Sequence, residues 1–258
     1  MSKRRRLRSE VAYSTADRIV VRGHDLVDLI GNVALGDMAF LELKGRLPTS
    51  QESAVFNAIT VTLVEHGMTP STIAARMTYL GAPESLQGAV AAGILGLGGR
   101  FGGTVEDIAR ILQTRLGAAP LEADLRQVAR DVVEEHRSAK RLIPGIGHPE
   151  HKDIDPRVPR LFEVAAANGL SGRHVELVRL IGDEASTALF RKLPVNATGA
   201  IGAIASELEI PWQVCRGLAV IARAIGIVAH LQEEVADPLA TEIWSRVEEE
   251  AGEQTREE

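Results

Sequence analysis

Cysteine occurs once in the 258 residues, at Cys215, which excludes an intrachain disulfide and with it a cross-linked scaffold. Basic charge is not in excess: 29 Lys and Arg stand against 35 Asp and Glu, for a formal net charge of −6 and a sequence pI near 5.7. A general nucleic-acid surface needs a basic face, so that class is excluded, whereas a local arginine cluster on an acidic protein still suits acidic metabolites. No segment reads as a secretory signal, and no run reads as apolar over the roughly 18 residues that a membrane span needs. The expectation is a cytoplasmic protein with neither nucleic-acid nor membrane partners. Short β-like runs are scarce as well. Residues 17–23, Asp-Arg-Ile-Val-Val-Arg-Gly, are the one convincing case and read as too isolated to found a sheet. Metal-ligand spacing is missing, since His148-x-x-His151 in a loop has no further Cys, Asp or His partners at ligand spacing, and no metal site is expected.

What remains is a chain with 45% hydrophobic residues, enough for one large or two modest domains. Its apolar residues recur at helical spacing. From His24 onward the pattern is helical, through Leu26, Leu29, Ile30 and Val33 up to Gly45, and further helices are expected over 54–66, 71–79, 85–97, two within 104–140, then 161–167, 175–189 and 211–235. Thr49 or Ser50, with Glu52, supplies a helix N-cap. The helix at 54–66 is apolar on most of its circumference, which implies burial. The one at 85–97 is rich in Ala and Gly and suits a tight helix crossing. The opening run Met1–Arg8 reads as a solvated basic arm, and the acidic stretch after Trp244 as a solvated or frayed helix end.

The stretch from Ile143 to Arg157, Ile-Pro-Gly-Ile-Gly-His-Pro-Glu-His-Lys-Asp-Ile-Asp-Pro-Arg, is a shaped loop. Gly145 and Gly147 let backbone approach a ligand, and His148, Lys152 and Arg157 can point polar heads into one space. Histidine can polarise a carbonyl or move a proton near neutral pH, and arginine forms a two-pronged pair with a carboxylate. That combination suits an acidic, carbonyl-bearing substrate. Arg223 interrupts an apolar helix and needs an anionic partner, either a structural carboxylate or a substrate. His66, at a helix C-terminus, can serve as a cap or a core residue. His230, two turns beyond Arg223, reads as structural, and the basic end His136–Lys140 as a solvated helix terminus.

Gly-Ile-Gly-His, followed seven residues later by Asp-Pro-Arg, resembles the loop of the citrate synthase superfamily. Glu65-His66-Gly67, Gly45-Arg46-Leu47-Pro48-Thr49, Asn196-Ala197-Thr198 and Ala222-Arg223-Ala224 resemble its other motifs, in the family's order. The resemblance covers roughly residues 20–240 and implies an all-α fold. A large helical domain would be built from 1–103 and 206–258, with a smaller inserted domain at 104–205. It implies His148 and His66 as catalytic groups, with Arg157 and Arg223 on substrate carboxylates. A coenzyme A thioester would be substrate, cradled by Gly145, Gly147 and Lys152, with no cofactor bound permanently.

The departures from the family pattern are specific. Phe101, in Gly98-Gly99-Arg100-Phe101-Gly102-Gly103, stands where citrate synthases have a histidine on the thioester carbonyl. Arg-Phe-Gly-Gly instead resembles the citryl-CoA lyase module of ATP-citrate lyase. Thr198 stands at the position of the family's catalytic Asp, and Asp237-Pro238 at that of an Arg-Pro. The implied function is a lyase cleaving citryl-CoA to acetyl-CoA and oxaloacetate, with Thr198 at a catalytic position and Phe101 against substrate. The alternatives are a lyase or synthase acting on another acyl-CoA and 2-oxo acid, and a non-catalytic CoA-thioester-binding relative. A small-molecule acyl-CoA, a 2-oxo dicarboxylate and a second copy in a homodimer are the implied partners.

Overall fold

The computed structural model describes residues 8–149 and 151–253. The basic arm therefore lies, but for Arg8, outside the described residues, as does the end of the acidic tail. Three short strands come first: β1 (Ala12–Ser14), β2 (Ile19–Val21) and β3 (His24–Asp25). They pair antiparallel in the order β1-β2-β3, so the β-like run does found a small sheet, contrary to the reading from sequence. Its partners are two- and three-residue segments, too short to show a period of their own. Val21 packs with Leu29 and Leu41, which gives the sheet an apolar anchor.

Twelve helices follow among the described residues. The segment after His24 is not one helix. It divides into α1 (Leu26–Leu29) and α2 (Leu35–Lys44), separated by Gly31 at φ +82°, a left-handed conformation that glycine adopts without strain. Next come α3 (Ser50–Val64), α4 (Pro70–Gly81), α5 (Leu86–Leu95), α6 (Gly103–Ala118) and α7 (Leu125–Ser138). The set is completed by α8 (Arg157–Ala167), α9 (Arg173–Ala188), α10 (Ala197–Glu207), α11 (Trp212–Ala236) and α12 (Ala240–Glu253).

Local chemistry explains where these helices start. Thr49 accepts from the Glu52 amide while the Glu52 carboxylate accepts from the Thr49 amide, a reciprocal capping box that satisfies two free donors at the head of α3. Thr69, followed by Pro70 at the first helical position, caps α4 in one direction, its hydroxyl accepting the Thr72 amide. Asn196 caps α10.

One core, rich in aliphatic side chains, runs through Phe40, Phe56, Ile59, Ile108, Leu112, Ile181, Ile201 and Leu218. At its centre lies α10, a helix the sequence motifs do not announce, with nine of its eleven residues buried. Gly202 lets it approach α6, since a Cβ there would collide with Ile108 and stand 3.0 Å from the Val105 carbonyl. The helix α3 is only partly enclosed: Val55, Phe56 and Ile59 are buried, but Val61 is 72% exposed. In α5 and at its C-cap, small residues make contacts within the chain: Gly93 meets Ala75 and Ile227, and the capping Gly96 meets the Ser71 backbone.

The 25 residues of α11 correct another expectation. By length and composition alone this helix is apolar enough to cross a membrane; Arg223 interrupts the run without lowering its mean hydropathy enough to matter. Its inner face, including Cys215, Leu218, Ala222 and Ile227, is buried in the protein.

Candidate active site

A cleft of about 640 Å³ opens where α3, α4, α6, α10 and α11 converge. It is lined by His66, Arg100, Phe101, His148, Arg157, Asn196, Thr198 and Arg223, with an apolar floor that includes Leu97, Val105 and Ala219. Six residues expected at the site from the sequence are thus brought together: His66, His148, Thr198, Arg157, Arg223 and Phe101. Gly145, Gly147 and Lys152 do not line it.

The two glycines shape the loop that presents His148. Both have positive φ, +79° and +82°. The Gly145 carbonyl accepts from the Asn196 amide at 3.0 Å, the Gly147 amide donates to the Pro194 carbonyl at 2.7 Å, and the Gly147 carbonyl accepts from Asn196 Nδ2 at 2.6 Å. The loop is thereby stitched to the start of α10. Lys152 is exposed, its Nζ 3.4 Å from the His148 carbonyl.

His148 is half-buried and its Nδ1 accepts the His151 amide at 3.1 Å. In the neutral ring the proton then sits on Nε2. Burial pushes its pKa below the ordinary histidine value, and the neighbouring His151 adds to the shift. A neutral imidazole with an Nε2–H is a hydrogen-bond donor suited to a carbonyl or alkoxide oxygen. His66 lies 6.4 Å from it between ring centroids. Contrary to the core alternative, His66 is exposed, directly after the C-cap Glu65 of α3 and in the connection to α4.

Arg157 is the first residue of α8. Its Nε and one Nη pair with both carboxylate oxygens of Asp155, at 2.9 and 2.8 Å. Asp155 is fully buried and also accepts the Ala197 amide at 2.8 Å. Burial alone would raise this carboxyl, but the Arg157 pair and the backbone amides outweigh it and hold its pKa below the usual range. A carboxylate so clamped is a poor proton acceptor; it locks Arg157 to the head of α10.

Arg223 is 8% exposed, and its Nε and Nη1 have no hydrogen-bond partner among the described residues. Burial lowers its pKa, with the Glu65 charge opposing and Arg157 reinforcing the shift. Of the two partners that the sequence leaves open for this guanidinium, no structural carboxylate among the described residues is bonded to it. Thr198, in the first turn of α10, donates its hydroxyl to Asn196 Oδ1 at 2.7 Å.

Among the described lining residues there is no carboxylate. Three guanidiniums and two imidazoles therefore face a space with an apolar floor, a setting for a ligand with several anionic groups and an uncharged remainder. Arg100 carries the third guanidinium; it stands within the Arg-Phe-Gly-Gly motif but gains no site role from the sequence, because a glycine turn offers only weak evidence of phosphate binding. Arg76, fully buried and paired with Glu233 and Glu234, is equally unannounced, because its partners lie 157 and 158 residues away.

Comparison with known proteins agrees with this arrangement. The family model described as "Citrate synthase, C-terminal domain" matches residues 43–244. The solved citryl-CoA lyase of Hydrogenobacter thermophilus is 35% identical, covers 90% of this chain and 88% of its own, and superposes with a TM-score of 0.82. An ATP citrate lyase variant from Methanosaeta concilii in complex with (3S)-citryl-CoA shares the fold, with 21% identity, a TM-score of 0.77, and coverage of 93% of this chain and 41% of that one. The ATP-citrate synthase beta chain protein 2 of Arabidopsis thaliana is 28% identical over 184 residues, 64% of this chain. The chain spans 29% of that relative's length. With its motifs gathered in one cleft, a family model across most of its length and a solved relative matched nearly end to end, the protein belongs to the citrate synthase family.

Proposed function

We propose that this protein is a carbon–carbon lyase that cleaves citryl-CoA to acetyl-CoA and oxaloacetate by a retro-aldol step. The observation that carries the reading is the cleft itself: Arg100, Arg157 and Arg223 with His66 and His148, no described carboxylate, and a buried Arg223 with two unpartnered nitrogens. The likeness to the citryl-CoA lyase of Hydrogenobacter thermophilus supports the same substrate. In this reading Arg157 and Arg223, with His66, hold the carboxylates. The substrate's tertiary hydroxyl gives up its proton to water in the cleft, the bond between that carbon and the thioester's methylene breaks, and the electron pair passes to the thioester carbonyl as an enolate. The alkoxide carbon becomes the ketone of oxaloacetate, and a proton delivered to the enolate carbon completes acetyl-CoA. His148 Nε2–H stabilises the oxygen that changes from hydroxyl to ketone. Phe101 and the Gly98–Gly103 turn flank the thioester, and the loop bearing Gly145, Gly147 and Lys152 flanks coenzyme A, which is substrate rather than resident cofactor.

A second reading, a CoA-thioester-binding relative without turnover, is favoured by Thr198. Its hydroxyl is no base at neutral pH, it is spent on Asn196, and the loss of a general base costs on the order of a hundredfold to ten-thousandfold. A related lyase or synthase for another acyl-CoA and 2-oxo acid fits the same cation set. The deciding assay supplies purified protein with citryl-CoA and follows oxaloacetate through malate dehydrogenase, with His148→Ala as control. Release that depends on His148 supports the lyase; binding of coenzyme A without release supports the second reading.

The same proposal includes a cytoplasmic homodimer. Ile221, Ile225 and Val228 leave an exposed apolar stripe along α11, and Leu86 and Leu95 are exposed on α5. It also includes a smaller domain at 104–205 that closes on the remainder of the chain.

A further inference from the structure

Arg223 is buried and two of its nitrogens are unpartnered, although the Glu65 carboxylate is near enough to stabilise its charge. A guanidinium and a carboxylate in such a setting ordinarily close on each other, because an unmade charged hydrogen bond out of water is costly. Glu65 is held elsewhere. Its Oε2 accepts the amides of His66 and Gly67, both at 3.1 Å, and faces His230 Nε2 at 3.2 Å. Its other oxygen lies against Gly226, where a Cβ would collide with both Glu65 Oε1 and the Val64 carbonyl. Only a glycine lets α11 pass the end of α3 at this distance.

His230 is fixed from behind. Its Nδ1 lies 3.1 Å from Arg76 Nη2, and Arg76 is fully buried between Glu233 and Glu234. Arginine only donates, so Nδ1 is the acceptor and the neutral ring carries its proton on Nε2, facing Glu65. The chain Arg76–His230–Glu65 thus runs from the core of the α4–α11 contact to the turn that bears His66.

We infer that Glu65 and His230 form a positioning pair: His230 Nε2–H holds the Glu65 carboxylate on the His66 turn and away from Arg223, so that Arg223 stays open for an anionic group in the cleft. Glu65 thereby sets two groups at once, the backbone of His66 through its amides and the unpaired state of Arg223 through its own restraint. The ligand side of this inference rests on the proposed lyase reading; the restraint of Glu65 does not.

The test uses the whole 258-residue chain in five forms besides wild type: His230→Leu, His230→Gln, Glu65→Gln, His230→Leu combined with Glu65→Gln, and Arg223→Lys for assignment. In His230→Leu the freed Glu65 pairs with Arg223 and competes with substrate, so KM for citryl-CoA rises by about tenfold with a smaller change in kcat. Adding Glu65→Gln removes the competing charge and returns KM most of the way to the wild-type value. His230→Gln, which keeps a side-chain donor, retains a low KM. A raised KM that the second substitution fails to lower overturns the pair and marks His230 as structural only. The second readout needs no substrate: the Arg223 Nε resonance in a 15N spectrum, assigned by its loss in Arg223→Lys, shifts in His230→Leu and returns in the double variant. No shift overturns the inference. If the resonance behaves as expected while wild-type protein fails to cleave citryl-CoA, the pair stands and the lyase reading falls.

Discussion

Gly145 and Gly199 touch backbone to backbone: a Cβ placed on Gly145 would lie 2.6 Å from the Gly199 Cα and 3.0 Å from its amide nitrogen. This is where the loop carrying His148 meets the first turn of α10 carrying Thr198. Gly145 is also at φ +79°, so a side chain there is strained as well as crowded. Gly145→Ala is expected to destabilise the fold by about 2 kcal/mol or more and to reduce turnover out of proportion, because it drives the loop off the helix. Denaturant unfolding alongside the coupled assay checks both parts.

The state of His148 predicts an acid limb in the rate profile. Burial, with His151 beside it, lowers its pKa from the ordinary value, so the neutral donor persists to lower pH than for a free histidine. The limb in kcat/KM should therefore fall below about pH 6.5. His148→Ala should cost at least about a hundredfold in turnover while leaving the melting temperature near that of wild type. A limb centred above neutral pH would contradict the assignment.

Arg223 predicts opposite effects on binding and stability. Replacing it with Met removes an unsatisfied buried charge, so Arg223→Met should be stabilised by about 1–3 kcal/mol and yet bind substrate far less tightly. Thermal melts and KM are the measurements. Destabilisation together with unchanged KM would show that the guanidinium has a structural partner instead.

Thr198→Asp places a carboxylate at the head of α10, within the cleft that also holds Arg157 and Arg223. If this position is where a base acts, turnover should rise by on the order of tenfold or more. A fall would show that proton transfer runs through other groups and that Thr198 contributes only its bond to Asn196.

Glu52 gives a prediction for acid stability. Its bond to Arg46, helped by the Thr49 amide and hydroxyl against a burial effect of opposite sign, lowers its pKa to about 2. A depressed carboxylate stabilises the folded state above its unfolded pKa, near 4.3, and loses that contribution as pH falls through the folded value. Glu52→Gln should cost about 1–2 kcal/mol at pH 7, and its stability should converge on that of wild type as pH falls from about 4 to about 2. Urea denaturation across that range is the check.

Much of the site was legible in the sequence because its parts are local. The Gly-Ile-Gly-His loop, the Ala-Arg-Ala turn of α11 and Glu65-His66-Gly67 are short motifs, and helical periodicity supplied the elements that carry them. The relations between parts were not legible. Nothing near Arg76 in the chain names Glu234, nothing near Glu65 names His230, and both pairs exist only once α11 lies across α3 and α4. The small sheet went unseen because strands of two and three residues show no period. The burial of α10 went unseen because its run of Ala, Gly and Ile is apolar on every side. The packing of Gly145 against Gly199 was not legible either, because a glycine needed for a close backbone crossing looks, in sequence, like a glycine that admits a ligand.

The cleft gathers Arg100, Arg157 and Arg223 on a molecule whose formal net charge is −6. Seen from afar the protein repels anions, and attraction begins only where the local guanidiniums outweigh the surrounding carboxylates, within about 8 Å at physiological ionic strength. Capture of a polyanionic ligand is therefore a short-range event without long-range steering. Added salt should thin the repulsive halo as well as the attraction inside the mouth, which makes the association rate far less sensitive to ionic strength than the residence time.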